Sequence, residues 1–251
     1  MLQANAVQKN HLLAEIPQEI FDRSFSDLPV VPLCLKQILY QVGDPLEYVY
    51  FVEQGIVSIL ATMTSGSATE VGMIGMEGLV GLPILLGDDV SGQHVIVQAP
   101  GAALRMQASD CKAVFEESAA VRSVMLRYMG ALFKVAAQTA ACNQLHSLRE
   151  RSARWLLMMY DRLQSDEMPL THEFLSLMLG VHRTRVTETR RRASTLGDNR
   201  LQTGSGHDRR YRKARRHSLR MLPGPRSPPE TLTNRGMPCA PQGACPISDI
   251  R

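Results

Sequence analysis

The chain has 251 residues, a formal net charge of +4 and 44% hydrophobic residues, enough to bury the core of one large domain or two small ones. No apolar run reaches the length of a membrane-spanning helix, and the first residues lack the basic-then-apolar pattern of a secretion signal. The five cysteines are scattered and include no metal-type CxxC pair, so we expect a cytoplasmic protein without a bound metal or cofactor.

Short β-segments separated by turn residues are predicted from Ile38 to Met106. They are rich in β-branched and aromatic residues, and they cover Ile38–Tyr40, Tyr48–Val52, Ile56–Leu60, Thr69–Ile74, His94–Gln98 and Ala102–Met106. Turns containing glycine, such as Glu53-Gln54-Gly55, separate or end these segments. Strands spaced this closely predict an antiparallel sandwich or barrel.

A long helix is predicted after Ser109, where the apolar spacing changes to alternating steps of four and three residues. We expect it to extend over roughly 25 residues. It either packs on its own domain or contacts a second copy of the chain, and the regular spacing favours a dimer contact. The residues predicted for that contact are Val121, Met125, Tyr128, Leu132, Val135 and Thr139.

A helix-turn-helix is predicted after a further helix from about Leu148 to Leu163. Thr171 is placed to cap a short helix whose apolar face contains Met178 and Leu179, and Gly180 supplies a tight turn. A second helix then begins at about His182 and would lie in the major groove of DNA. The alternative is an ordinary helical hairpin with exposed basic residues. The candidate DNA-binding residues are Thr171, His172, His182, Arg183, Thr184, Arg185 and Thr187.

The charge is divided unequally near residue 190. Residues 1–189 carry a net charge of −6, whereas residues 190–251 carry +10 and seven of the 14 prolines. Such a segment buries too little apolar surface to offset its chain entropy, so we expect a disordered tail. Its arginines either bind nucleic acid or remain solvated.

The order of these parts resembles the Crp/Fnr family of bacterial transcription regulators. The resemblance extends over about residues 25–189 and rests on Gly43-Asp44 and Tyr50–Val57 in the β-segments, on Arg149–Leu157 in the helix that follows, and on Leu170–Thr187. It implies an α+β protein with an N-terminal antiparallel β-roll of jelly-roll type. The implied division is an N-terminal segment (1–24), a cyclic-nucleotide-binding-like roll (25–118), a dimerisation helix (119–146), an incomplete helix-turn-helix domain (147–189) and a basic tail (190–251).

The resemblance also implies an effector pocket in the roll. In that family a Gly-Glu pair can hold the ribose of a cyclic nucleotide, and an Arg-Ser/Thr pair can hold its phosphate. The corresponding positions here are Gly81 and Leu82, and Gln93 and His94. A buried phosphate needs a compensating cation, and neutral Gln93 supplies none, so cyclic-nucleotide binding is not expected. The effector is unknown, and the chain could have none.

The end of the chain is predicted to be out of frame. The expected apolar pattern stops at Thr189, where a winged helix-turn-helix would continue. The codons of Gly197–Asp208, shifted by one nucleotide, permit Ala-Ile-Ile-Asp-Tyr-Arg-Arg-Gly-Arg-Val-Thr-Ile, which reads as the missing strand–turn–strand wing. We therefore hypothesise a frameshift near residues 187–192. A domain without its wing would be loosely folded, and its phosphate contacts would not select a sequence.

These patterns predict a dimeric DNA-binding regulator, with DNA, a second copy of the chain and RNA polymerase as the implied partners. The alternative is a stand-alone sensor in which the roll binds a ligand or partner without specific DNA binding. An enzyme is not expected, because the chain contains no P-loop, no Gly-rich dinucleotide fingerprint and no Ser-His-Asp order.

Overall fold

The computed structural model of the chain describes residues 9–64, 66–164 and 172–181. A β-roll comes first in the chain and longer helices follow it. The elements are α1 (Gln18–Ser24), β1 (Val30–Leu33), β2 (Ile38–Tyr40), β3 (Tyr48–Thr62), β4 (Ala68–Ile74), β5 (Leu79–Val80), β6 (His94–Gln107), α2 (Ala108–Glu117), α3 (Ala119–Leu145), α4 (Leu148–Leu163) and α5 (His172–Leu179), with 3-10 helices at Leu13–Glu15 and Leu82–Leu86.

The six strands form one antiparallel sheet in the order β1-β6-β3-β4, with β2 paired to β6 and β5 paired to β3. The two long strands β3 and β6 are the centre of the roll, and each bends so that it pairs with several partners. This antiparallel domain followed by helices confirms the predicted fold class.

The predicted breaks within the two long strands are wrong. Glu53-Gln54-Gly55 is not a turn but an irregular part of the continuous strand β3, where the register with β6 shifts. Gly55 has a φ of +91°, and a Cβ at Gly101 would lie 1.9 Å from the Gln54 carbonyl oxygen. Two glycines therefore let the strands bend and stay paired, as in a β-bulge.

Three apolar clusters hold the molecule together. The first joins the roll to α2 and α3 and includes Phe51 and Met125, and the second fills the roll around Val57. The third lies between the roll and the last two helices and includes Trp155 and Met178. Burying a large apolar side chain completely contributes about 1.5–3 kcal/mol, so the third cluster anchors α4 and α5 firmly to the roll.

The predicted dimer seam on α3 packs against its own domain. Val121, Met125 and Tyr128 are buried in the first cluster, and Leu132 packs against the same cluster. The remaining two, Val135 and Thr139, line a cleft next to β4. Val121, Met125 and Tyr128 are thus covered by their own roll in the single chain, and the dimer contact itself stays a prediction.

Within the described residues, no helix is long and apolar enough to cross a membrane. The same part of the chain contains no group of three or more His, Cys, Asp or Glu side chains placed to hold a metal ion.

Candidate functional site

Helix α4 begins at a complete capping box. The Ser147 side chain accepts a hydrogen bond from the Glu150 backbone N–H, and the Glu150 carboxylate accepts one from the Ser147 backbone N–H. The Ser147 hydroxyl also donates to the Glu150 carboxylate, and this bond together with the one from the Ser147 backbone N–H lowers the pKa of the Glu150 carboxyl. The cap separates α4 from α3, and α4 has the bounds that the sequence predicts.

Helix α5 ends at the predicted glycine turn. Gly180 has a φ of +61°, its N–H donates to the Leu177 carbonyl, and the Val181 N–H donates to the Ser176 carbonyl. A glycine in the left-handed region closes a helix in this way. The short helix and the glycine turn that the sequence predicts here are therefore present, and the helix-turn-helix as a whole stays a prediction.

Most of the predicted DNA-binding residues lie outside the described residues. They are Thr171, His182, Arg183, Thr184, Arg185 and Thr187. His172 is the first residue of α5, where its backbone is helical. The tail of residues 190–251 and the hypothesised frameshift also lie outside the described part of the chain.

The apolar face of α5 packs on the roll. Met178 and Leu179 are buried in the third cluster, as members of the face that the sequence predicted. The Thr69 hydroxyl of β4 donates to the Met178 carbonyl at 3.4 Å, and the Arg151 guanidinium of α4 donates to the Leu179 carbonyl at 2.5 Å. The roll and α4 together therefore fix the position at which the chain enters the Gly180 turn.

A polar cluster joins α4 to the roll beside these apolar contacts. The Trp155 indole N–H donates to Oε1 of Glu70 at 2.9 Å, and the Ser58 hydroxyl lies 2.7 Å from Oε2 of the same carboxyl group. Ser58 also lies 2.7 Å from Oε1 of Gln98, whose amide nitrogen donates to the Met159 sulfur at 3.1 Å. We call these five residues the Glu70 cluster, and they connect three strands of the roll to α4.

The carboxyl group of Glu70 has a pKa well above that of an ordinary glutamate. Desolvation between the strands and α4 raises the pKa of its carboxyl group to about 7. The hydrogen bond donated by Trp155 and the charges of Arg162 and Arg154 act in the opposite direction, as would a hydrogen bond donated by Ser58 to the ionised carboxylate. Burial has the larger effect, so this carboxyl changes its charge near neutral pH.

Two further arginine contacts hold α4 in place. Arg162 forms an ion pair with Glu77 of the roll at 2.6 Å, and its side chain is largely buried. Arg154 donates to the Thr139 hydroxyl of α3 at 3.2 Å. A narrow cleft of about 40 Å³ remains between β4, α3, α4 and α5.

The predicted effector positions lie in different parts of the roll. Gly81 follows β5 with a φ of +94°, and Leu82 packs against the first apolar cluster. Gln93 is exposed, whereas His94 pairs with Leu60 near the end of β3. No charged side chain stands at any of these four positions, and the roll interior is filled by the second cluster.

Residues 30–118 match the family model described as "Cyclic nucleotide-binding domain". This segment is similar to cyclic nucleotide-binding domains. It contains all six strands of the sheet. The comparison with curated protein sequences gave no match.

Solved structures share the fold beyond the cyclic nucleotide-binding domain. One is CLP from Xanthomonas campestris, described as a c-di-GMP-responsive global regulator: it is 14% identical, with a TM-score of 0.61, and the match covers 72% of this chain and 93% of CLP. Another is FixK2 from Bradyrhizobium japonicum, 15% identical with a TM-score of 0.58, covering 68% of this chain and 86% of FixK2.

A third is TTHA1359 from Thermus thermophilus, described as a transcriptional regulator of the CRP/FNR family. It is 17% identical with a TM-score of 0.53, covering 67% of this chain and 87% of TTHA1359. At these identities the likeness concerns the fold, and it confirms the resemblance to Crp/Fnr regulators at that level.

The Glu70 cluster was missed by the sequence reasoning. A signal for it existed, because Ser58 and Gln98 are polar residues in the middle of two apolar strand segments, and both are buried. A buried polar side chain needs a partner, which predicts a polar contact at that point of the roll. The partner on α4 is far away in the sequence, and only the fold identifies it.

Proposed function

We propose that this chain is a DNA-binding transcription regulator of the Crp/Fnr type, which acts as a dimer and reads DNA with the segment after Gly180. The observation that carries the proposal is α5 with its glycine turn, placed after a cyclic nucleotide-binding domain and a long helix. His182, Arg183, Thr184 and Arg185 follow directly, and arginine can bind guanine or phosphate through two hydrogen bonds.

The proposed dimer contact is an exposed stripe of α3 on the side away from the roll. Its members are small or apolar and recur at steps of three and four residues: Ser123, Leu126, Gly130, Phe133, Ala137 and Ala140. Leu126 is 52% exposed and Phe133 is 76% exposed. A second copy of α3 would cover these side chains as in a coiled coil, with close approach at glycine and alanine.

The cyclic nucleotide-binding domain is proposed to act without a cyclic nucleotide held in the usual way. Leu82 replaces the acid that would bind a ribose, and Gln93 replaces the cation that would bind a phosphate. An unpaired phosphate in a low-dielectric roll is strongly unfavourable. The effector is therefore of a different class, or the domain serves as a structural support for the DNA-reading helices.

DNA binding is tested by fluorescence anisotropy with labelled genomic fragments at several salt concentrations. We expect binding at low salt, and a double variant Arg183→Ala/Arg185→Ala should lower the affinity. If both arginines contact phosphates, the slope of log K against log salt should fall by about 1.8. Arg23→Ala, which removes an exposed arginine of α1, is the matched control and should bind as the parent does.

Two outcomes would contradict this proposal. If the chain does not bind DNA at low salt, the regulator function is wrong. If the double variant binds DNA as tightly as the parent, Arg183 and Arg185 do not contribute to the affinity. The arginines of residues 190–251 would then account for it, and the segment after Gly180 would not recognise DNA.

A second function is supported by the burial of Met178 and Leu179 on the roll. With this face of α5 used inside the chain, the protein could act as a stand-alone sensor whose roll binds a ligand or partner. Absence of DNA binding in the same titration, with the fold retained by circular dichroism, would favour this function.

A further inference from the structure

The hydrogen bonds of the Glu70 cluster, as placed in the structure, cannot all form when Glu70 is ionised. Ser58 has one hydroxyl hydrogen, yet its oxygen lies 2.7 Å from Glu70 Oε2 and 2.7 Å from Gln98 Oε1. Both neighbours accept hydrogen bonds when Glu70 is ionised, and one hydrogen cannot serve both. Rotating the Gln98 amide would let its nitrogen donate to Ser58, but the N–H···S bond would be lost and the amide oxygen would face the Met159 sulfur, which is also an acceptor.

The conflict disappears when Glu70 is a neutral acid. The Glu70 hydroxyl then donates to Ser58, Ser58 donates to Gln98 Oε1, and the Gln98 amide donates to Met159. Glu70 Oε1 still accepts from Trp155. Every group in the chain of bonds has a partner, and the chain ends on two residues of α4. With the Gln98 amide placed as in the structure, the whole arrangement is satisfied in this protonation state and not when Glu70 is ionised.

We propose that Glu70 holds a proton while α4 is docked on the roll, and that loss of this proton loosens α4, so that the contact between the two parts of the molecule responds to pH. An ionised Glu70 would leave the Gln98 oxygen without a donor and place a charge in a desolvated site. Helix α4 leads to α5 and the Gly180 turn, so the proton controls how the proposed DNA-reading segment is held.

The groups around Glu70 favour a change in the protonation of its carboxyl group near neutral pH. Its pKa of about 7 follows mainly from desolvation. The charged groups that act on it come from α4, while the strands contribute uncharged polar groups and α5 contributes apolar side chains. The charged neighbours are Arg154, which donates to Thr139 of α3, and Arg162, which is paired with Glu77. Arg151 of α4 and Cys142 of α3 line the same cleft. The uncharged and apolar neighbours are Ser58, Gln98, Met178 and Leu179.

Trp155 reports on this switch directly, because it is the only tryptophan in the chain and donates to Glu70 itself. We expect its emission in the full-length protein to change in one transition near pH 7, with greater quenching by acrylamide above the transition. Glu70→Gln mimics the neutral acid, since its amide donates to Ser58 and its oxygen accepts from Trp155. This variant should keep the low-pH emission from about pH 5 to about pH 9, that is, about two pH units on either side of the transition of the parent.

Glu47→Gln is the matched control, because Glu47 is an exposed carboxylate before β3, and it should titrate as the parent does. The proposal is overturned if the parent emission does not change, or if Glu70→Gln keeps the same transition, which would then belong to another group such as a histidine.

Ser58→Ala tests which of Ser58 and Glu70 donates the hydrogen bond between them. It also keeps the proposal testable if Glu70→Gln alters the fold. In the proposed chain Ser58 accepts the acid proton, so its removal should move the transition to lower pH. A move to higher pH would show that Ser58 donates to an ionised Glu70, which contradicts the proposal. The test does not depend on DNA binding and therefore fails or succeeds separately from the proposed function.

Discussion

At the scale of single residues, the roll depends on glycines where two backbones come close. Gly101 lies so near Gln54 that any Cβ would overlap the Gln54 carbonyl group. The sequence predicts a turn at Glu53-Gln54-Gly55 and a break between the strand segments on either side of Gly101. It cannot distinguish a turn from a bulge, because both need the same backbone freedom and only the pairing partner differs.

We predict that Gly101→Ala destabilises the protein, because the added carbon would lie 1.9 Å from the Gln54 carbonyl oxygen and the strands would have to separate. The expected loss in the free energy of unfolding is about 1–3 kcal/mol, measured by urea denaturation. Gly92→Ala is the control, since nothing lies within 4 Å of its added carbon. Equal stability of the two variants would contradict the close approach at Gly101.

Glu70 gives a second prediction at this scale. Its folded pKa of about 7 is above the value of 4.5 for a free glutamate, so the folded state retains a proton that the unfolded state loses. The contribution of Glu70 to the free energy of unfolding is therefore at its full value below pH 4.5. It decreases as the pH rises to about 7, by at most about 1.4 kcal/mol per pH unit.

Thermal or urea unfolding of the parent and of Glu70→Gln at several pH values isolates this effect from other titrating groups. We expect the difference in stability to change in favour of Glu70→Gln as the pH rises through the window. A difference that does not vary with pH would show that Glu70 ionises normally in the folded protein.

At the scale of elements, α3 presents two apolar stripes with the same 3.5-residue spacing. The sequence predicts the spacing and the helix correctly, and it does not tell which stripe the roll covers. The stripe with Val121 and Met125 has the larger side chains and is buried inside the chain. The stripe with Phe133 is exposed and is the one left for a second copy.

The two stripes respond differently to substitution. Phe133→Asp should dissociate the proposed dimer with little change in monomer stability, because Phe133 is 76% exposed in the single chain. Met125→Ala should lower the free energy of unfolding by about 2–5 kcal/mol without changing the oligomeric state of the folded protein. Sedimentation velocity and urea denaturation measure these effects. A monomeric parent, or a Phe133→Asp variant that remains dimeric, would contradict the proposed contact.

Helices α4 and α5 can be predicted from the sequence because the residues that determine where they begin and end lie within or next to them. The capping residue Ser147, the amphipathic spacing of α4 and the glycine after α5 predict these helices where they occur. The docking of α4 on the roll is not local. It depends on Glu70 and Trp155, which are far apart in the sequence and meet only in the folded chain.

At the scale of the whole molecule, the third apolar cluster and the Glu70 cluster join the β-roll to the helices that lead into the Gly180 turn. We expect a change in the roll to reach the proposed DNA-reading segment through α4. We propose that this connection is the regulatory part of the molecule, and that residues beyond Gly180 carry the recognition of DNA.

The most direct test is to select genomic fragments bound by this chain and by a version whose reading frame is restored from residue 187 onward. We predict that the restored chain enriches an inverted repeat with half-sites about one helical turn apart, as a dimeric helix-turn-helix requires. The chain as it stands should retain fragments with a steep salt dependence and without enrichment. If the restored chain enriches no sequence, or if the present chain alone selects one, the account of DNA reading is contradicted.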